Sequence, residues 1–206
     1  MELRKRFIRN YYIIIEKCLR PLAKKNIAPN FVSLLSLFLS LISAVFYATG
    51  TFFMGGLTLL LSGFADTLDG SIARITGRAN RFGALLDSTL DRYAEFFIFF
   101  GLVIHFMEDW VLYVVIVSLM GSIMVSYVKA RAEALGSTRI IGLMQRPERL
   151  IVLALGSMLN APLGKYFPEC RDDCTIITTL ILLAILTNVT AIHRLMAEKK
   201  DLSQMK

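Results

Sequence analysis

Charge is what this chain has little of. Asp, Glu, Lys and Arg make up 19% of its 206 residues, whereas 55% are apolar and 11% aromatic, and mean hydropathy is +0.59. A disordered chain and an ordinary soluble nucleic-acid-binding domain both need more charge per unit length, so neither class fits and no nucleic-acid partner is expected. Histidine and cysteine are scarce too, at two and three residues. His105 and His193 stand alone, and no Cys/His spacing matches a zinc site. Cys18 is expected as a free thiol. Cys170 and Cys174 would lie about 6 Å apart on a helical turn, which fits either a small loop disulfide or two thiols. The first residues lack the basic, apolar and small-residue succession of a removable signal peptide.

What the sequence has instead is long apolar runs. They cover about 31–48, 52–72, 84–106, 111–128, 150–163 and 175–192. A bilayer-spanning helix needs roughly 20 apolar residues, so the expected fold is all-α: a multi-pass membrane protein of six transmembrane helices with short loops. Twenty of the 23 Lys and Arg residues then fall on one face, in the N-terminal segment, the loops after the second and fourth spans, and the tail. The positive-inside rule puts that face and both termini in the cytoplasm, with the cell membrane as the expected location. Residues Arg4–Lys25 interleave apolar and basic positions at mostly helical spacing. They are expected to form an amphipathic interfacial helix on an anionic leaflet, the alternative being a basic start that serves topology only. The whole chain, 1–206, reads as one domain: a juxtamembrane helix over 1–28, a bundle over 29–197 and a tail over 198–206.

Acidic groups inside a span cost roughly 2.5–3.5 kcal/mol each at a helix centre, yet four gather here. Asp66 and Asp69 lie in the second span, Asp87 and Asp91 in the third, all near the cytoplasmic ends. Asp66, Asp69, Gly70 and Ala73 share one helical face, as do Gly83, Asp87 and Asp91. Antiparallel helices joined by a short loop would turn these faces toward each other. Four carboxylates in one pocket need counter-charge, and Mg²⁺ or Mn²⁺ supplies it with oxygen ligands. Two such ions about 3.5–4 Å apart make a site for displacement at phosphorus. The competing structural account makes the aspartates interhelical glue, paired with Arg74, Arg78, Arg81 and Arg92.

The stretch Asp66-Thr-Leu-Asp69-Gly70-Ser-Ile-Ala73-Arg74, then Gly83, Asp87 and Asp91, follows the pattern D-x₂-D-G-x₂-A-R-x₈-G-x₃-D-x₃-D. It resembles the signature of the CDP-alcohol phosphatidyltransferase family at every fixed position. The resemblance implies a transferase of phospholipid biosynthesis in which an acceptor hydroxyl attacks the lipid-linked phosphorus of a CDP-lipid and CMP leaves. It implies Asp66, Asp69, Asp87 and Asp91 as ligands of two Mg²⁺ or Mn²⁺ ions, with Asp91 also the general base. Asn30, Asp69, Gly70, Arg74 and Asn80 would contact the CDP-lipid; Pro29-Asn30 also reads as an ordinary helix start.

The motif does not choose the acceptor alcohol. Lys129, Arg131, Arg149 and Arg194 come from three spans to the aspartates' level, which suits a phosphorylated polyol. The segments around Lys129 and Arg149 are similar to those of the family's inositol-phosphate-using branch, with glycerol 3-phosphate the alternative acceptor. Topology alone would also account for Arg131 and Arg146. A cation or proton transporter would need acids spread through the membrane's depth, and beyond the four aspartates only Glu95 lies within a span. The resemblance further implies a homodimer, and Gly55, Gly56, Gly63, Gly101 and Gly121 offer small-residue faces for close packing.

Overall fold

Apolar surroundings cannot satisfy a backbone N–H or C=O, and a helix satisfies both within its own segment. In the computed structural model, which describes residues 29–137, 144–164 and 171–202, each apolar run is accordingly a helix. These are α1 Pro29–Ala48, α2 Phe52–Ile75, α3 Arg81–His105, α4 Val111–Ala134, α5 Arg146–Gly164 and α6 Cys174–Leu202. The described residues contain no strand. Three helices are long and apolar enough to cross a membrane, over Asn30–Ala48, Val111–Ala134 and Cys174–Lys199. The other three carry the motif's charges or, in α5, a charged first turn. The expected interfacial helix over 1–28, the end of the tail, Cys18 and Cys170 all lie outside the described residues.

The helices run past the apolar windows at one end. There α2 continues to Ile75, α3 starts at Arg81, α4 continues to Ala134, α5 starts at Arg146 and α6 reaches Leu202. Hydropathy falls where charge begins, but the helical hydrogen-bond ladder does not. Local caps hold these polar turns. Asn80 Oδ1 accepts from the Gly83 N–H at 2.7 Å to start α3, and Glu148 Oε2 accepts from the Gln145 N–H at 2.7 Å to start α5.

Contacts between helices form a closed ring: α1 packs on α2 and α3, α2 on α5, α5 on α6, α6 on α4, and α4 on α3. Tyr47, Leu59, Ile98, Leu102, Leu153, Ile176 and Leu180 fill its interior. Uncharged polar seams join the helices. Ser40 and Ser62 hydroxyls meet at 2.7 Å, Ser43 donates to the Gly55 carbonyl at 2.8 Å, Tyr47 and Ser157 hydroxyls meet at 2.9 Å, and Ser118 donates to the Leu180 carbonyl at 2.9 Å. Such bonds hold helices together where the solvent is as apolar as the side chains.

Small residues set the closeness of the crossings. A side chain at Gly101 would meet the Ala44 backbone, one at Gly56 the Ala154 carbonyl, one at Gly121 the Thr187 side chain, and one at Gly55 the Tyr47 ring. Four of the five glycines expected to offer faces for close packing are thus used inside the chain's own bundle. Only Gly63 among them faces open space. His105 is a packing residue, its ring edge-on to Phe52 at 4.9 Å between centroids. It also covers Gly50, whose φ of +73° turns α1 into α2.

The end of the bundle opposite the motif is closed by polar ties. Asn160 Nδ2 donates to the Asp172 carbonyl and its Oδ1 accepts from the Ile176 N–H, at 2.9 and 3.1 Å. The Val111 N–H and the Arg171 guanidinium both bind Asp109, and together they hold its carboxyl below the ordinary carboxylate range.

Gly101→Leu should lower stability by about 3 kcal/mol, because the clash is with backbone and only helix displacement relieves it. Gly63→Leu should change stability by less than about 0.5 kcal/mol. Thermal midpoints in detergent measure both, and equal midpoints would contradict the close α1–α3 crossing.

Candidate active site

The charged ends of α2 and α3 face each other across a five-residue turn in which Gly77 adopts φ +66°. Asp66, Asp69 and Asp87 each offer a carboxylate oxygen, and these oxygens lie within 4.8 Å of one another. Asp69 is only 4% exposed. The Ser33 hydroxyl hydrogen-bonds its carboxylate, yet Asp69 Oδ2 is buried with no hydrogen-bond partner among the described residues. A buried carboxylate oxygen left bare beside two more carboxylates fits a hard divalent cation, which takes oxygen ligands and cancels the repulsion.

A cavity of about 670 Å³ opens from this cluster between α1, α2 and α3. Asn30, Asp69, Gly70, Arg74 and Asn80, the five residues expected to contact the CDP-lipid, all line it, with Asp87 at its edge. At Gly70 an added Cβ would meet only Arg74 Nη1, at 3.4 Å, so the missing side chain leaves room in the cavity. Arg74 Nη2 donates to Ser71 Oγ at 3.1 Å. Asn80 lines the cavity, but its side chain is spent on capping α3, with Nδ2 donating to the Arg78 carbonyl at 3.2 Å.

The fourth aspartate, Asp91, lies outside that three-way group but beside Asp66, with which it shares an arginine. Asp91 Oδ1 is 2.7 Å from Arg146 Nη1, and the same nitrogen is 2.7 Å from Asp66 Oδ2. Arg146, from the first turn of α5, ties α2 to α3, and Arg92 Nη2 lies 3.9 Å from Asp91 Oδ2.

The residues expected at the acceptor's phosphate are divided. Arg149 is 3% exposed, with Nη2 at 2.9 Å from Glu95 Oε1 and Nη1 donating to the Met144 carbonyl at 3.1 Å. Glu95 takes Arg92 on its other oxygen at 3.0 Å, and Ser126 accepts from both arginines. Arg194 is buried, with Nη1 donating to the Val125 carbonyl at 2.7 Å. Lys129 and Arg131 sit on the exposed side of α4, Lys129 paired with Glu133 at 3.7 Å. The arrangement therefore brings Arg149 and Arg194 into the polar end of the bundle and leaves Lys129 and Arg131 at its rim.

Arg146, Glu95, Ser126 and Ser33 are the site residues that sequence reasoning did not assign. Two signals were available. Glu95 extends the Gly83, Asp87, Asp91 face by one further turn, and Arg146 precedes Arg149 by three residues, which places both on one face of α5.

The sequence profile of the CDP-alcohol phosphatidyltransferase family matches residues 26–192. The archaetidylinositol phosphate synthase of Pyrococcus horikoshii is 34% identical over 190 residues, covering 91% of this chain and 92% of that one. The crystal structure of Mycobacterium tuberculosis phosphatidylinositol phosphate synthase with CDP-DAG bound superposes with a TM-score of 0.76 at 31% identity, covering 90% of this chain and 93% of that one. The same enzyme in complex with manganese and citrate superposes with a TM-score of 0.75 at 29% identity, covering 89% and 88%. With its signature intact and its described fold shared, this membrane protein belongs to the CDP-alcohol phosphatidyltransferase family.

Proposed function

We propose that the chain transfers the phosphatidyl or archaetidyl group of a CDP-linked lipid to a hydroxyl of inositol phosphate, releasing CMP. The observation that carries this reading is the junction at Asp66. On one side it belongs to the carboxylate cluster that borders the cavity; on the other it pairs with Arg146, beside the Arg149–Glu95 network. A nucleotide-diphosphate half-site and a phosphate-binding half-site thus meet at the carboxylates. The relatives named inositol phosphate synthases support the choice of acceptor over glycerol 3-phosphate.

In this reading Asp66, Asp69 and Asp87 hold the metal ions, and Asp91, the general base, also touches one of them. Two bound Mg²⁺ or Mn²⁺ ions would neutralise the diphosphate and polarise its lipid-linked phosphorus. Gly70 leaves room for the diphosphate and Arg74 grips it. Asp91 takes the proton from the acceptor hydroxyl as its oxygen bonds to phosphorus and the bond to CMP breaks. Arg149 and Arg194, with Lys129 and Arg131 at the rim, hold the acceptor's phosphate, and Glu95 fixes the Arg149 guanidinium. Six spans, both termini and the site on the cytoplasmic side of the cell membrane, a single domain over 1–206 and a homodimer complete the proposal. The basic excess at the site end supports that orientation.

Purified protein supplied with CDP-lipid should release CMP with inositol phosphate and not with serine or unphosphorylated inositol. Release with unphosphorylated inositol would sink the phosphate half-site, and release with glycerol 3-phosphate alone would move the assignment to that acceptor. Asp91→Asn should cut kcat by about 10²–10⁴, while Mn²⁺ still raises the thermal midpoint. Glu95→Gln should raise the acceptor KM by about tenfold with the CDP-lipid KM unchanged, since it removes the charge that orients Arg149. A parallel rise in both KM values would mark Glu95 as merely structural.

A further inference from the structure

Arg146 contributes something that the family signature does not describe. It is the first residue of α5, and one guanidinium nitrogen reaches both Asp66 on α2 and Asp91 on α3 at 2.7 Å. The contact is end-on and shared, not the two-nitrogen fork by which Arg grips a carboxylate most firmly. Arg146 Nε is buried with no hydrogen-bond partner among the described residues, so half of the fork is unused. The guanidinium thus brings a single positive charge to a group of acids that two divalent ions would supply with four.

A guanidinium at 2.7 Å from Asp66 and a divalent ion bound to Asp66 would repel across a few ångströms and compete for the same lone pairs. We propose that Arg146 is a positioning residue of the metal site: it holds Asp66 and Asp91 in place while metal is absent and gives up that pairing when a divalent ion binds. The inference rests on the reading of Asp66, Asp69 and Asp87 as metal ligands. It makes the protein's metal affinity a balance between two cations, one of them its own side chain.

The test is Mn²⁺ titration of the full-length, chelator-stripped protein in detergent, with free Mn²⁺ followed by electron paramagnetic resonance and thermal midpoints taken with and without metal. Arg146→Gln should bind Mn²⁺ at least about tenfold more tightly, because a cation adjacent to the site is gone. Its midpoint should fall by several degrees without metal and return to that of the unaltered chain at saturating Mn²⁺, because the lost pairing exists only in the metal-free protein. An unchanged Mn²⁺ affinity, or a midpoint equally depressed with metal bound, overturns the exchange and makes Arg146 a permanent tie. On the unaltered chain, phenylglyoxal labelling of Arg146 read by mass spectrometry should rise several-fold on Mn²⁺ addition, and unchanged or reduced labelling overturns the proposal without any variant having to fold. Asp66→Asn separates the two readings. Mn²⁺ binding as tight as that of the unaltered chain would overturn the metal-ligand reading and the exchange with it, whereas lost binding there beside unchanged affinity in Arg146→Gln overturns the exchange alone.

Discussion

Carboxylates brought together at the end of an apolar bundle repel one another and lose hydration, and the arrangement of this protein follows from how that repulsion is contained. Asp66, Asp69 and Asp87 sit within 4.8 Å of one another, and Asp91 is held just beyond by Arg146. Left without counter-charge, such a group would either protonate or push α2 and α3 apart. The rest of the ring opposes that separation. α1 packs against both helices, with Gly101 of α3 under the Ala44 backbone and serines binding α1 to α2. The close packing at mid-bundle is what permits a concentration of like charge at its end.

The polar end is also where the helices outrun their apolar windows. Caps start the added turns of α3 and α5 and an ion pair lies along that of α4, carrying functional groups outward from the hydrophobic interior. Asn80 illustrates the double use of such residues, since the carboxamide that starts α3 also borders the cavity. Glu95, Arg92, Arg149 and Ser126 illustrate it again one turn deeper. Their network joins α3, α4 and α5 and at the same time fixes the direction of a guanidinium. A buried ion pair brings little net stability, because desolvation offsets the attraction, so its retention here is better explained by the orientation it imposes.

How much of this was legible in the sequence depends on how far apart the partners lie along the chain. The six helices were readable because each is an apolar run bounded by turns or charge. The carboxylate faces were readable because α2 and α3 are consecutive, antiparallel and joined by a short turn, so two helical periodicities and one loop length fix the geometry. The five cavity residues came from the family resemblance, not from periodicity. What was hidden is what α5 does. Arg146 pairs with Asp66 across 80 positions, and no periodicity relates residues on helices that meet only through tertiary packing. In the sequence, Arg146 looks like one more basic residue on the cytoplasmic side, a role that topology already explains. The glycines were legible as close approaches, four of the five within the bundle, but a small residue does not say which helix approaches.

This contrast in sequence distance corresponds to a division of chemical labour. In the proposed reaction the groups for the reaction centre and the nucleotide diphosphate come from α2, α3 and the start of α1, with Arg146 of α5 set against Asp66 and Asp91. In the same reading the groups for the acceptor come from α4, α5 and α6, and the Glu95 network ties them to α3. Changing which alcohol is accepted then requires altering only the second set, provided the tie is kept. Arg146 is constrained from both sides, because it opens α5 and meets Asp66 and Asp91, whereas Glu95 acts toward the acceptor through Arg149. A substitution at Arg146 is therefore felt in both halves of the site, whereas one at Glu95, or at Lys129 or Arg131 on the exposed rim of α4, is confined to the acceptor half.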